Sequence, residues 1–118
     1  MFEIRRKAKR CDVILRAWFA GDDIFLTLTG GKEHIGAVAL GTYNETEKSA
    51  SASVLTAPGH REDIIALESA RKISKKTHKT TVVTVGIHVD NITKEEINQI
   101  IEYSNELINE FLEMKKDN

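Results

Sequence analysis

The sequence predicts an α+β domain, a mainly antiparallel sheet with two helices packed on it. Three observations carry this. Branched and aromatic runs separated by turn residues fill the first half, an apolar repeat at helical spacing follows the only proline, and a short β-branched run then leads into a capped amphipathic stretch. The order of elements is strands, helix, strand, helix, and all 118 residues are expected in one domain, large enough to bury roughly two-thirds of the surface that the unfolded chain exposes.

The run from 13 to 28, "VILRAWFAGDDIFLTL", reads as two strands around the turn residues Gly21, Asp22 and Asp23, a hairpin signal. "HIGAVALG" and "SASASVLT" supply two further strands, so the first half is a meander. The basic residues that precede it, Arg5, Arg6, Lys7, Lys9 and Arg10, lack interleaved aromatics and are read as a solvated strand face.

Pro58 opens a helix expected from about 60 to 78, in which Ala66, Ala70, Ile73 and Thr77 share a face with Leu67 alongside. Glu62 and Asp63 at its start and Lys75, Lys76 and Lys79 at its end match the helix dipole. "TTVVTVGI" is a buried strand. Thr93 and Glu96 then form a capping box, with Ile92 and Ile97 placed as a hydrophobic staple, and a second helix is expected from about 94 to 115. Its stripe is Ile97, Ile100, Ile101, Leu107, Ile108, Phe111 and Met114.

With 17 basic and 18 acidic residues the formal net charge is -1, which gives no general attraction to nucleic acid or to anionic membrane. No apolar run approaches the roughly 18 residues of a membrane span, and the N-terminus is too charged for a signal peptide. A single cysteine, Cys11, excludes an internal disulfide and points to a reducing, cytoplasmic home. No P-loop, G-x-G-x-x-G or G-x-S-x-G pattern is present, and nothing near Cys11 would lower its pKa.

Three of four histidines stand beside glycine at element boundaries: "GGKEHIG" around His34, "PGHRED" around His60 and "GIHVDN" around His88. Glycine there lets the backbone approach a ligand closely or adopt a conformation other residues reach only with strain. The fourth, His78, falls at a helix end, where a structural role is expected. A helix start at His60 would aim free N–H groups at an anion, with Arg61 adding a paired contact, although Glu62 and Asp63 would satisfy the same helix end. His88 and Asp90, two apart in extended chain, share a face and could hold a divalent metal or fix an imidazole tautomer. His34 and His60 would complete a metal set, at spacings of 26 and 28 residues that match no short ligand motif.

Together "GGKEHIGAVAL", "APGHRED" and "GIHVDNIT" resemble the prenylated-flavin chaperone family, the LpdD-like accessory proteins of gallate-type aromatic acid decarboxylase systems, over about 13 to 111. The resemblance implies a protein without catalytic residues that binds prenylated FMN, or FMN, and assists its storage, maturation or delivery to a decarboxylase of the UbiD type. A flavin prenyltransferase would be a second, transient partner. It implies that Gly30, Gly31, Lys32, His34, Gly59, His60, Arg61, His88, Asp90 and Asn91 lie around the cofactor.

Chemically, Lys32, Arg61 and the helix start suit the phosphate, while His34, His88 and Asn91 suit the polar rim of the flavin. Trp18 or Tyr43 is a candidate stacking partner, with core packing the competing role of Trp18. A chain this short, with few aromatics, is expected to hold the cofactor in a shallow site or at the interface of a homodimer. Two other readings stay open. One is a small enzyme using a divalent metal on His34, His60, His88 and Asp90; the other is an assembly protein that docks through a sheet edge or the last helix.

Overall fold

A computed structural model describes residues 1–59 and 62–116 of the chain. Six strands, β1 (Phe2–Lys7), β2 (Asp12–Ala20), β3 (Asp23–Gly31), β4 (Ala37–Asn44), β5 (Ser49–Thr56) and β6 (Thr81–His88), form one sheet in the order β1-β2-β3-β6-β4-β5. All neighbours are antiparallel except β3 and β6, which run parallel through the centre. Helix α1 (Asp63–Thr77) packs over β4, β5 and β6, and α2 (Lys94–Lys116) over β1 and β2, so both cover the same face. The α+β architecture read from the sequence is the one observed. Among the described residues, no helix is long and apolar enough to cross a membrane.

The β2–β3 hairpin closes through a two-residue turn in which Gly21 takes φ +62°, the positive value such turns demand. Alternation along the strands then sorts residues between two faces. Ala17, Leu26, Val83 and Ala39 lie in register across four strands and are fully buried beneath the helices. From above, Ala66, Ala70 and Ile73 of α1 and Ile100, Leu107, Ile108 and Phe111 of α2 close the core. Ile97, Ile101 and Met114, expected on the same stripe, lie at its exposed margin. The buried arc instead turns through Glu96, Ile100 and Ser104, polar residues included.

The first helix starts later than its charge pattern suggests. It opens at Asp63, Glu62 caps it without a side-chain hydrogen bond, and His60 and Arg61 lie outside the described residues. At its other end His78 takes the left-handed conformation that ends helices, and its N–H donates to the Ser74 carbonyl at 2.8 Å. The His78 ring stacks on Tyr43 with centroids 3.8 Å apart, so Tyr43 is engaged there.

The capping box of α2 forms in both directions. Glu96 N–H donates to Thr93 Oγ1 and Thr93 N–H donates to Glu96 Oε1, each at 3.1 Å. Arg10 adds a guanidinium fork, with Nε to Glu96 Oε2 at 2.6 Å and Nη2 to Oε1 at 2.8 Å. The Arg10 bond first, and the Thr93 backbone bond second, hold the Glu96 carboxyl at about 2, against an ordinary 4.5. A carboxyl whose pKa is depressed on folding stabilises the fold fully above its unfolded value and loses that contribution as pH falls through the folded one. Acid titration monitored by circular dichroism should therefore show stability falling between about pH 4.5 and pH 2, and Glu96→Gln should be less stable at neutral pH with a flatter acid limb.

Candidate functional site

The parallel pairing of β3 and β6 runs in register from Ile24 beside Thr81 to Gly31 beside His88. Two segments far apart in sequence, "GGKEH" and "GIHVD", thereby leave the sheet at one edge. The carboxyl ends of parallel strands are where open α/β sheets characteristically place their ligands. Here the loop 32–36 turns back over the end of β6. Lys32 N–H donates to the His88 carbonyl and Gly36 N–H to the Val85 carbonyl, both at 2.9 Å, so the loop is pinned at each end.

Glycine makes this approach possible. A Cβ at Gly86 would lie 1.6 Å from the His34 carbonyl oxygen, and Gly31, at φ +60°, faces the His88 carbonyl where a Cβ would come within 2.1 Å. The glycines expected to admit a ligand thus admit the chain's own backbone. They build the wall on which the histidines stand. Gly30 lies inside the sheet against the Asp12 carbonyl, and Gly59 is exposed in the turn before α1.

His34 is held from both sides. Its Nδ1 lies 3.0 Å from the Lys32 carbonyl oxygen and its Nε2 lies 3.1 Å from Glu62 Oε1. Both partners are acceptors, so whichever ring nitrogen carries a proton has an oxygen beside it to receive it. Glu62, at the head of α1, is therefore used to orient an imidazole rather than to cap its helix. Its carboxylate fills the space where a side chain at Gly36 would sit.

The His88 ring stands 6.4 Å from that of His34, edge to face, and its Nε2 lies 2.9 Å from Asp90 Oδ1. This bond from His88 is the first cause that holds the Asp90 carboxyl below the ordinary carboxylate range. The strand ends at His88, and a turn carries the chain into α2, with Asn91 exposed at φ +51°. Arg10 closes the cleft from the β1–β2 connection. Its Nη2 donates to the Asp90 carbonyl at 3.0 Å while the same guanidinium grips Glu96.

Arg10, Gly31, Lys32, His88, Val89 and Asp90 line a cleft of about 370 Å³. Arg10 is the member that sequence reasoning missed, having been grouped with a solvated basic face. All three arginines of that group are paired: Arg5 with Glu3 and Asp12, Arg6 with Glu106 and Glu110, and Arg10 with Glu96. The only local signal was its position two residues ahead of the first strongly apolar strand. Of the other expected site residues, the structure gathers Gly31, Lys32, His34, His88 and Asp90 at this edge. Among the described residues no group of three or more His, Cys, Asp or Glu is placed to hold a metal, because His34 turns to Glu62 and His88 to Asp90. Trp18 does not serve the core but lies 38% exposed on the other sheet face, against Phe25. Burial pushes the Cys11 thiol up, away from nucleophilic reactivity.

A larger cavity, about 770 Å³, lies between α1 and α2 and is lined by Lys72, Lys76, Lys79 and Lys115. Lys72 bonds Asn109, Lys79 pairs with Asp22, and Lys115 sits over the Phe19 ring, so it reads as an interhelical groove with three of its four lysines engaged. The smaller cleft combines two cations, Arg10 and Lys32, with His88 and pinned backbone, and is the better candidate.

The family model described as "Prenylated flavin chaperone LpdD-like domain" matches residues 7–116. No curated protein matches the sequence. Among solved structures, a chain of the "Crystal Structure of a Novel Chaperone Complex for Yeast 20S Proteasome Assembly" aligns at 15% identity with a TM-score of 0.55, covering 98% of this chain and 95% of that one. At that identity the likeness is one of fold.

Gly86→Ala should displace the loop 32–36, because neither a strand interior nor a loop pinned by two backbone bonds can yield the missing space. The expected readout is loss of amide-exchange protection at Lys32 and Gly36 with the core strands still protected. Unchanged protection at both amides would contradict the close approach.

Proposed function

We propose, given that this chain belongs to the LpdD-like prenylated flavin chaperone family, that the cleft at the carboxyl ends of β3 and β6 is where it holds prenylated FMN. The observation that carries this is the donor set at one edge: the Lys32 ammonium, which makes no ion pair among the described residues, the Arg10 guanidinium and the His88 ring. Cations and N–H donors of this kind suit a phosphate monoester. The bound cofactor would supply the decarboxylation chemistry in a client enzyme, whereas this chain's residues bind, orient and shield it.

In this reading Lys32 and Arg10 take the phosphate, and His88, whose Nε2 alone is held by Asp90, offers its other ring nitrogen to polar atoms further along the cofactor, with the His34 ring standing edge to face against it. Asn91 stands at the rim beside Arg10, its carbonyl 3.5 Å from Nη2. The cleft falls at the low end of the roughly 300–1,000 Å³ of small-molecule pockets, and its only apolar walls are Gly31 and Val89. It seats the phosphate end better than the ring, as suits a protein that must release its cargo. We therefore read the protein as a carrier, cytoplasmic and without catalytic groups, that serves a prenylated-flavin-dependent decarboxylase of the UbiD type and receives its load from a flavin prenyltransferase. No divalent metal is needed for this role.

The test is retention. Purified protein loaded with enzymatically made prenylated FMN and then desalted should keep flavin absorbance. Lys32→Ala should weaken binding about tenfold, the loss of one charge-assisted hydrogen bond of about 1.5 kcal/mol. His34→Ala and His88→Ala should weaken it comparably, whereas His78→Ala, whose ring packs on Tyr43, should not. Equal losses from all four variants would count against the cleft.

A further inference from the structure

The helices cover one face of the sheet, and the opposite face carries an apolar row. In register, Trp18 of β2, Phe25 of β3, Val82 of β6 and Leu40 of β4 follow one another across four strands, and Leu55 of β5 lies in the next row beside Val38. Trp18 is 38% exposed, Phe25 41%, Leu40 46% and Leu55 79%, whereas their counterparts on the helix face are buried. Toward the cleft end of this face the charges neutralise one another, Arg16 bonding Glu3 and Glu33 and Thr29 bonding Glu33, while Asp23 stands at the other end. A charge-depleted, aromatic centre with a polar margin is the composition of a protein–protein interface.

We infer that a second copy of this chain covers the open face, the two sheets stacking with a two-fold axis parallel to the strands between β3 and β6. Size supports the occupant. Six strands about 4.8 Å apart and about eight residues long present about 750 Å² per copy, close to the roughly 800 Å² per partner of a standard stable interface. Self-complementarity supports the axis. Because β3 and β6 are the middle of the sheet, this axis lays β3 over β6 of the partner and β2 over its β4, so Phe25 meets Val82 of the partner subunit and Trp18 meets Leu40 of the partner subunit. Bulky aromatics on one half meet smaller aliphatics on the other, and β1 lies over β5, whose Ser51 and Ser53 face the same way. In the next row the same axis sets Arg16 and Glu3, already paired with each other, opposite Val38 and Leu55 of the partner subunit. Aligned packing of this kind is the common way for two sheets to share a core.

The arrangement also bears on the cleft. His88 and Gly31 end the two central strands on this same face, and the loop 32–36 crosses it above Gly86. A two-fold axis between β3 and β6 brings both clefts together at one end of the pair, where each open cleft gains a wall from the other copy.

Light scattering on the purified full chain should give twice 13.2 kDa. Trp18→Arg and Leu40→Glu should each halve that mass while leaving the far-ultraviolet circular dichroism unchanged. An equimolar mixture of the two should recover the doubled mass, since one pairing then sets arginine against glutamate and the other restores tryptophan against leucine. If Trp18→Arg does not fold, Leu40→Glu alone, at an exposed position, still decides whether this face pairs. A monomeric wild type, or variants that remain dimeric, would overturn the interface; a mixture that stays monomeric would overturn the axis. None of these outcomes depends on cofactor binding.

Discussion

The cleft depends on one constraint, the parallel register of β3 and β6. Antiparallel pairing would have sent the two segments out at opposite ends of the sheet. Because the strands run together, Gly31 reaches the edge beside His88, and the chain that follows each strand must share the same few ångströms. The loop 32–36 solves this by lying on β6 with both ends hydrogen-bonded to it, which only a glycine at 86 permits. His34 and His88 face each other as a consequence of that packing, each fixed by its own carboxylate, Glu62 and Asp90.

Arg10 ties this edge to the rest of the molecule. Its guanidinium spans the Glu96 carboxylate, which caps α2, and the Asp90 carbonyl, which borders the cleft. Glu96 thus does two things at once: it satisfies the first turn of a long helix and anchors a cation at the cleft mouth. Helix start, turn and cleft wall form one hydrogen-bonded unit, so geometry at the cleft is coupled to the docking of α2 on β1 and β2.

Much of the local structure was legible in the sequence because its causes are local. The capping box of Thr93 and Glu96, the Gly21 turn and the helix end at His78 each depend on a few adjacent residues, and each is found. Non-local relations were not legible. Nothing in "TTVVTVGI" says that it inserts between β3 and β4, or that it runs parallel to the former. The glycines were recognised as places of close approach, but whether ligand or backbone approaches is decided by strand order. Arg10 stayed hidden for the same reason, since its partners follow it by 80 residues or more. Trp18 looked like core because it alternates with apolar neighbours; the alternation was real and the face was the open one.

Membership of a chaperone family and a cleft of this shape point the same way. A carrier must hold a reactive cofactor specifically and release it readily, which favours a shallow, polar, well-positioned seat over a deep apolar slot. The most direct test of that account is a titration of the isotopically labelled protein with prenylated FMN, followed by the backbone amide and imidazole resonances. Saturable shifts at Gly31, Lys32 and the rings of His34 and His88 are predicted. Shifts confined to the lysine-lined groove between α1 and α2, or no saturable shift anywhere, would contradict it.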